Sequence, residues 1–329
     1  MHRPLAILSG PAARAALTSG QARLLAGGPL VFAQVQTDAG LAPAALLPPH
    51  HPLIAARAPW AGFDLSRPII MGIVNVTPDS FSDGGDHDST EAAIAHGRRL
   101  RAEGADILDV GGESTRPGAA PVPVAVEIAR VVPVIRALAA EGAVISIDTR
   151  HAAVMKAAAV AGARIINDVT ALTGDPDSAE VAAATGLPVV LMHIQGEPQT
   201  MQDAPRYHDV TAEVFDWLAA RIAAAVAAGI GRERIAIDPG IGFGKDLTHN
   251  IDLLSRTGVL HGLGCPILIG VSRKRFIAGL SRGEAPRDRV AGSIAAALYT
   301  LGQGAHILRV HDVAATVQAV AVWQALQSA

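Results

Sequence analysis

Short apolar runs that stop at polar or charged residues recur eight times along the chain. Ile69 to Val74 ends at Asn75, and Ala105 to Val110 runs into Gly111-Gly-Glu113. Ala143 to Asp148 runs into Thr149-Arg150, Arg164 to Asn167 into Asp168, and Leu187 to Met192 into His193. Arg234 to Asp238 leads into Pro239-Gly-Ile-Gly-Phe-Gly-Lys245, Pro266 to Gly270 into Val271-Ser-Arg-Lys274, and His306 to Arg309 into Val310-His-Asp312. Runs that are apolar on both faces predict buried parallel strands.

Helical stretches separate these runs. They are predicted over residues 90–102, behind an Asp88-Ser89 N-cap, and over 122–140, 152–161, 178–185, 209–228, 250–258, 287–302 and 314–326. Gly104, Gly142, Gly162, Gly186, Gly229 and Gly304 fall where left-handed caps end helices. Eight strands alternating with eight helices predict an α/β fold, a (β/α)8 TIM barrel over residues 67–329. An open doubly wound sheet is the structural alternative. The strand count and the lack of Gly-x-Gly-x-x-Gly at the first turn argue against it.

Residues 1–66 read differently, as an N-terminal extension. Leu24 to Val35 predicts a short helix and a strand, and Pro48-Pro-His-His-Pro52 reads as a linker. The 329 residues are half apolar with a net charge of −3, enough to bury a large core and with no basic stripe for nucleic acid. No apolar run reaches the roughly 18 residues of a membrane span. The single cysteine, Cys265, suits a reducing, cytoplasmic setting and a small buried role.

A barrel gathers its strand ends at one mouth, so Asn75, Thr115, Arg116, Asp148, Asn167, Asp238, Lys274, Arg309 and His311 converge there. Asp148, Asn167 and Asp238 form an acceptor-rich set that needs donors, which a guanidine-like heterocycle such as a 2-amino-4-oxo pyrimidine supplies. Arg309 and His311, two apart on one strand face, join Lys274, Arg273, Thr115 and Arg116 in a pocket for a diphosphate or other dianion. The alternative for Arg309 and His311 is an ion pair with Asp312 or Glu113. Asn75 and Asp83 can add oxygen ligands, and beside a diphosphate they suit magnesium. Phe81 and Pro117, on the first two loops, can clamp a flat substrate, Phe81 either as a lid or packed down. The Gly240 to Lys245 segment lacks P-loop spacing and reads as close backbone approach around Asp238. His193 serves equally as pocket lining or as an internal hydrogen-bond partner.

Asn75-Val-Thr-Pro-Asp-Ser-Phe-Ser-Asp-Gly-Gly85 and Asp109-Val-Gly-Gly-Glu-Ser-Thr-Arg-Pro-Gly118 resemble the two signature loops of dihydropteroate synthases. Ser146-Ile-Asp-Thr149, Ile166-Asn-Asp-Val169, Leu191-Met-His-Ile-Gln-Gly196, Asp238-Pro-Gly-Ile-Gly-Phe-Gly-Lys245, Ser272-Arg-Lys-Arg-Phe276 and Arg309-Val-His-Asp312 match later motifs of that family in order. The resemblance covers about residues 67 to 325. It implies condensation of (7,8-dihydropterin-6-yl)methyl diphosphate with 4-aminobenzoate to 7,8-dihydropteroate and diphosphate, in folate synthesis.

By motif position it implies that Asp148, Asn167, Asp238 and Lys274 hold the pterin. Thr115, Arg309 and His311 would hold the diphosphate, Asn75 magnesium, and Phe81, Arg116, Pro117 and Ser272 the aminobenzoate. Asp83 is grouped with the substrate-contacting residues, and Asp148, Lys274, Arg309 and His311 are the expected catalytic set. The family also implies a homodimer through the last helices. Two departures stand out: Arg275 replaces a Ser found in some members, and Ile194 replaces a Met. Two alternatives are a non-catalytic pterin-binding paralogue and a methyltetrahydrofolate:corrinoid methyltransferase. The first would lose Asn75, Lys274, Arg309 or His311, and the second lacks the Thr115-Arg116-Pro117 and Arg309/His311 features.

Overall fold

The computed structural model describes residues 1–77, 86–114, 121–196 and 200–328. The chain begins with β1 (Arg3–Leu8), α1 (Gly10–Thr18), β2 (Arg23–Leu24), β3 (Val31–Thr37) and β4 (Gly40–Pro43), with β3 pairing antiparallel to the other three strands. The predicted strand through Val35 is present as β3. The helix expected near Leu24 is instead α1, where Pro11 opens a run of alanines that favours helix. Leu25, Leu30, Phe32, Val35, Ala44 and Leu53 form a small core under this sheet.

The barrel strands are β5 (Ile69–Asn75), β6 (Ile107–Gly111), β7 (Ile145–Asp148), β8 (Ile165–Asp168), β9 (Val189–Met192), β10 (Ile235–Asp238), β11 (Leu268–Ile269) and β12 (Ile307–Val310). All pair in parallel, in the order β10-β9-β8-β7-β6-β5-β12-β11. A parallel bridge between Ile237 and Ile267, with Ile237 N donating to Pro266 O at 2.9 Å, joins the two ends of that order. The (β/α)8 barrel expected from the strand count is the fold observed.

Outside it run α2 (Asp86–Ala102), α3 (Val124–Ala140), α4 (Ala152–Ala161), α5 (Ser178–Thr185), α6 (Val210–Ala227), α7 (Leu247–Ser255), α8 (Arg275–Leu280), α9 (Val290–Leu301) and α10 (Val313–Ser328). Gly162 and Gly186 end α4 and α5 in the left-handed conformation, as expected. Three details differ from the sequence reading. Helix α2 starts at Asp86, so Asp88 and Ser89 lie inside it. Helix α7 starts at Leu247 because the Asp246 side chain accepts from His249 N and His249 answers in a capping box. Helix α8, directly after Lys274, is an addition to the eight.

The strands sort their residues by a period of two. Ile70, Leu108, Ile147, Ile166, Leu191, Ile237 and Leu308 pack outward against the helices. Met71, Ile107, Ile165, Val190, Ala236, Leu268 and Ile307 pack inward around Trp60. Trp60 is 1% exposed and donates from Nε1 to Arg234 O at 3.0 Å, so the extension seals the barrel floor with an aromatic plug. Two residues further along, the inward layer turns polar on four of these strands, at Asp109, Asn167, Asp238 and Arg309.

Candidate active site

Strand register places the polar layer. Asn75 pairs with Gly111, Gly111 with Asp148, and Asp148 with Asn167, so Asn75, Asp148 and Asn167 share one row at the carboxyl ends. Inward alternation adds Asp109 two residues beyond Ile107, Asp238 beyond Ala236, and Arg309 beyond Ile307. The expected convergence of Asp148, Asn167, Asp238 and Arg309 is therefore observed. Its physical basis is that β-strand side chains repeat every second residue.

Arg309 is the hub. Its Nε donates to Asp109 Oδ2 and its Nη2 to Asp148 Oδ2, each at 2.6 Å. Asn167 Nδ2 donates to the same Asp109 oxygen at 3.1 Å. Neither alternative partner named from sequence is used. Asp312 instead binds Arg273, and Glu113 binds Arg150. Asp109 is the site residue that sequence reading missed. An acid inside an otherwise apolar, fully buried strand was the available signal, since such a charge needs a partner.

The electrostatics follow from enclosure. Burial pushes the Asp148 carboxyl up to about 7; Arg309 opposes this and Asp109 adds to it. Burial also raises Asp238, against the Gly240 N–H at 2.7 Å and the Lys274 charge. Burial lowers Lys274 to about 7, against the pull of Asp238. Burial works against the Arg309 charge as well, but Asp109 and Asp148 outweigh it and raise its affinity for the proton.

Lys274 sits at the end of a strained turn. Arg273 adopts φ +59°, a left-handed conformation that a non-glycine residue holds only when its surroundings fix it. Its N donates to Ser293 Oγ at 2.8 Å, its carbonyl accepts from Arg289 Nη1 at 3.0 Å, and its guanidinium grips Asp312. This turn directs the next residue, Lys274, onto Ile241 O at 2.6 Å and over the Phe243 ring at 4.0 Å. Nearby, His311 Nδ1 and Ser272 Oγ lie 3.0 Å apart, and Ser272 Oγ also accepts from His311 N at 3.1 Å. Burial and the Arg309 charge depress His311 to about 3, so it stands neutral.

His193 takes the internal role. Its Nδ1 lies 2.9 Å from Lys245 Nζ, and its ring packs edge-on to Trp217. Asn75 is half-buried at the end of β5 and presents a neutral amide at the mouth. Phe81, Asp83, Thr115, Arg116 and Pro117 lie outside the described residues.

Among the described residues, one His/carboxylate group lies close enough to share an ion: Glu113, Glu127 and His151 have ligand atoms within 4.8 Å of one another. Most of these atoms already have protein partners, and Glu127 Oε1 is buried without one. Arg150 donates to both Glu113 oxygens, and His151 Nδ1 lies 2.7 Å from Glu127 Oε2.

Residues 71–311 match the sequence model of the pterin binding enzyme family. The dihydropteroate synthase of Escherichia coli K12 is 50% identical over 273 residues, covering 83% of this chain and 96% of that protein. The chain belongs to the dihydropteroate synthase family. Like other dihydropteroate synthases, it is a transferase. Two solved structures of the Xanthomonas albilineans dihydropteroate synthase are close in fold. One, with 4-aminobenzoic acid, is 55% identical with a TM-score of 0.77, covering 82% of this chain and 97% of that one. The other, in complex with 7,8-dihydropteroate, is 52% identical with a TM-score of 0.75, covering 81% and 96%. These shares leave close to a fifth of this chain unmatched. Among the described residues no helix is long and apolar enough to cross a membrane.

Proposed function

We propose that the chain joins (7,8-dihydropterin-6-yl)methyl diphosphate to 4-aminobenzoate, giving 7,8-dihydropteroate and diphosphate. The observation that carries this reading is the shared mouth. Asp148, Asn167 and Asp238 gather acceptors for a ring edge rich in N–H groups, and Arg309, Ser272 and His311 line the exit of β12 beside them. Lys274, facing Asp238, completes the ring pocket.

The chemistry is electrostatic. The methylene C–O bond breaks with its electron pair going to the diphosphate, and the conjugated pterin delocalises the positive charge left behind. Asp148 and Asp238 are anions placed beside that charge, while Arg309 meets the departing anion. The arylamine nitrogen of 4-aminobenzoate then bonds to the methylene carbon and loses a proton to solvent. Arg309 changes partners in this scheme, because the pterin claims Asp148 and the diphosphate claims the guanidinium. Positional exchange of the bridging diphosphate oxygen tests this dissociative course. Absence of that exchange during otherwise normal turnover would count against it.

The Asn75 amide oxygen suits magnesium, which takes few protein oxygens and the rest from phosphate and water. When bound there, magnesium would neutralise diphosphate charge. Thr115 would join the diphosphate pocket, and Phe81, Asp83, Arg116, Pro117 and Ser272 would enclose the aminobenzoate. The single, buried Cys265 fits a reducing cytoplasm. Tyr299, Val322 and Leu326 are large apolar groups exposed on α9 and α10, which supports a homodimer through those helices. Residues 1–66 are read as an extension on a barrel of residues 67–329.

Incubating the purified chain with both substrates and magnesium should yield dihydropteroate, identified by mass. Pterin binding without product would leave a non-catalytic pterin binder.

A further inference from the structure

Lys245 is among the largest wholly buried side chains, at 2% exposure, and the scheme above gives it no task. Its ammonium has three donors, and each finds an acceptor at 2.9 Å: Gly240 O, Phe243 O and His193 Nδ1. Burial and the neighbouring Lys245 charge hold His193 neutral, at about 2, so its Nδ1 is free to accept. The lysine therefore grips both ends of the loop Gly240-Ile-Gly-Phe243 and ties it to the exit of β9.

The same loop faces the pterin pocket with its other groups. Ile241 O accepts from Lys274 Nζ, the Phe243 ring lies under that ammonium, and Gly240 N donates to Asp238. The loop is fitted rather than draped. Gly240 holds φ +68°, and a Cβ there would stand 1.8 Å from His193 O; at Gly244, φ +61°, it would stand 2.5 Å from Gln195 O. Gly242 N and O are fixed by Asn250 Oδ1 at 2.6 Å and Gln202 Nε2 at 2.7 Å.

We propose that Lys245 is a positioning residue for the pterin pocket: it shapes the 240–243 loop so that Ile241 O, Phe243 and Gly240 N set Lys274 and Asp238 for the ring. The proposal rests on the function proposed above, and Lys245 itself touches no substrate in it. The groups facing its ammonium from the packed elements are His193, Asp238 and Lys274.

The test uses Lys245→Gln, which retains an N–H donor, beside Lys245→Met and Lys245→Arg, all in the full chain. Binding of 6-hydroxymethylpterin and of inorganic diphosphate is measured separately by calorimetry, with steady-state kinetics alongside. In Lys245→Gln, pterin affinity falls roughly tenfold or more while diphosphate affinity is unchanged, and Lys245→Arg recovers part of the loss. Lys245→Gln added to Lys274→Met costs little further pterin affinity, because the two act through one contact. Equal losses of pterin and diphosphate binding, or full additivity with Lys274→Met, would overturn the proposal. If Lys245→Met fails to fold, Lys245→Gln and the double variant still decide. Lack of turnover in the unaltered chain would refute the proposed reaction instead, and the pterin-binding comparison separates that outcome from this one.

Discussion

The Arg309 guanidinium donates from Nε to Asp109 Oδ2 at 2.6 Å, across 200 positions of sequence. That single oxygen also receives the Asn167 amide, so one buried carboxylate aligns both groups, which in the proposed reaction meet the leaving group and the ring edge.

Asp109→Ala should therefore act on both pockets. We expect kcat/KM for the pterin diphosphate to fall about 10- to 100-fold, the size expected when a charged hydrogen-bond partner is removed from an enclosed site. Steady-state kinetics with each substrate varied, next to a melting curve, measures it. A variant with unaltered kinetics would remove Asp109 from the site.

In the proposed reaction the Asp148 carboxyl must be ionised to accept pterin N–H groups, and its affinity for protons is raised to about 7. Activity should rise with pH through about 7, since the accepting form appears only above that value. Asp109 contributes to the upward shift, so Asp109→Asn should move this acid limb to lower pH. Lys274, lowered to about 7, loses its charge as pH rises and supplies the opposing alkaline limb. A profile of kcat/KM against pH in both proteins checks the direction.

Stability should also depend on pH through His306, whose Nδ1 accepts from Ile267 N at 3.1 Å where β11 and β12 begin. Burial, then the Arg57 charge, lowers it from 6.5 to about 3. The unfolded chain takes up this proton below about 6.5 and the folded chain does not. The contribution is thus fully present above 6.5 and is lost as pH falls toward 3. His306→Gln should flatten that part of a melting-temperature series. An equally steep acid decline would contradict it.

The barrel floor and the barrel mouth should separate by mutation. Trp60→Ala removes the plug from the inward core and should destabilise the fold by about 3–5 kcal/mol, with both KM values unchanged below the melting transition. Denaturant unfolding and kinetics together check it. A large rise in KM would mean that the floor shapes the mouth.

Asn75→Ala should raise the magnesium concentration needed for half-maximal turnover and leave 6-hydroxymethylpterin binding intact. A magnesium titration of turnover tests this directly.

Much of the architecture was legible because buried parallel strands leave a strong sign, an apolar run halted by a polar end. Asp148, Asn167, Asp238 and Arg309 sit at such ends, so their convergence could be read from order alone. Asp109 could not be ranked, because its worth comes from Arg309 and Asn167, which register and closure bring to it. The same holds for Lys245, whose acceptors are two backbone carbonyls and a histidine just past the end of β9. Helix α8 escaped because six residues are too few to show a helical period. The second carboxylate in the Arg309 contact is the part of the account that depends most on the three-dimensional structure.

The most direct test of the two-pocket mouth is diphosphate release with the pterin diphosphate and magnesium, with and without 4-aminobenzoate, in the unaltered chain and in an Arg309→Ala/His311→Ala double variant. The account predicts release that requires 4-aminobenzoate and collapses in the double variant while 6-hydroxymethylpterin still binds. Release at the same rate in both proteins would contradict it.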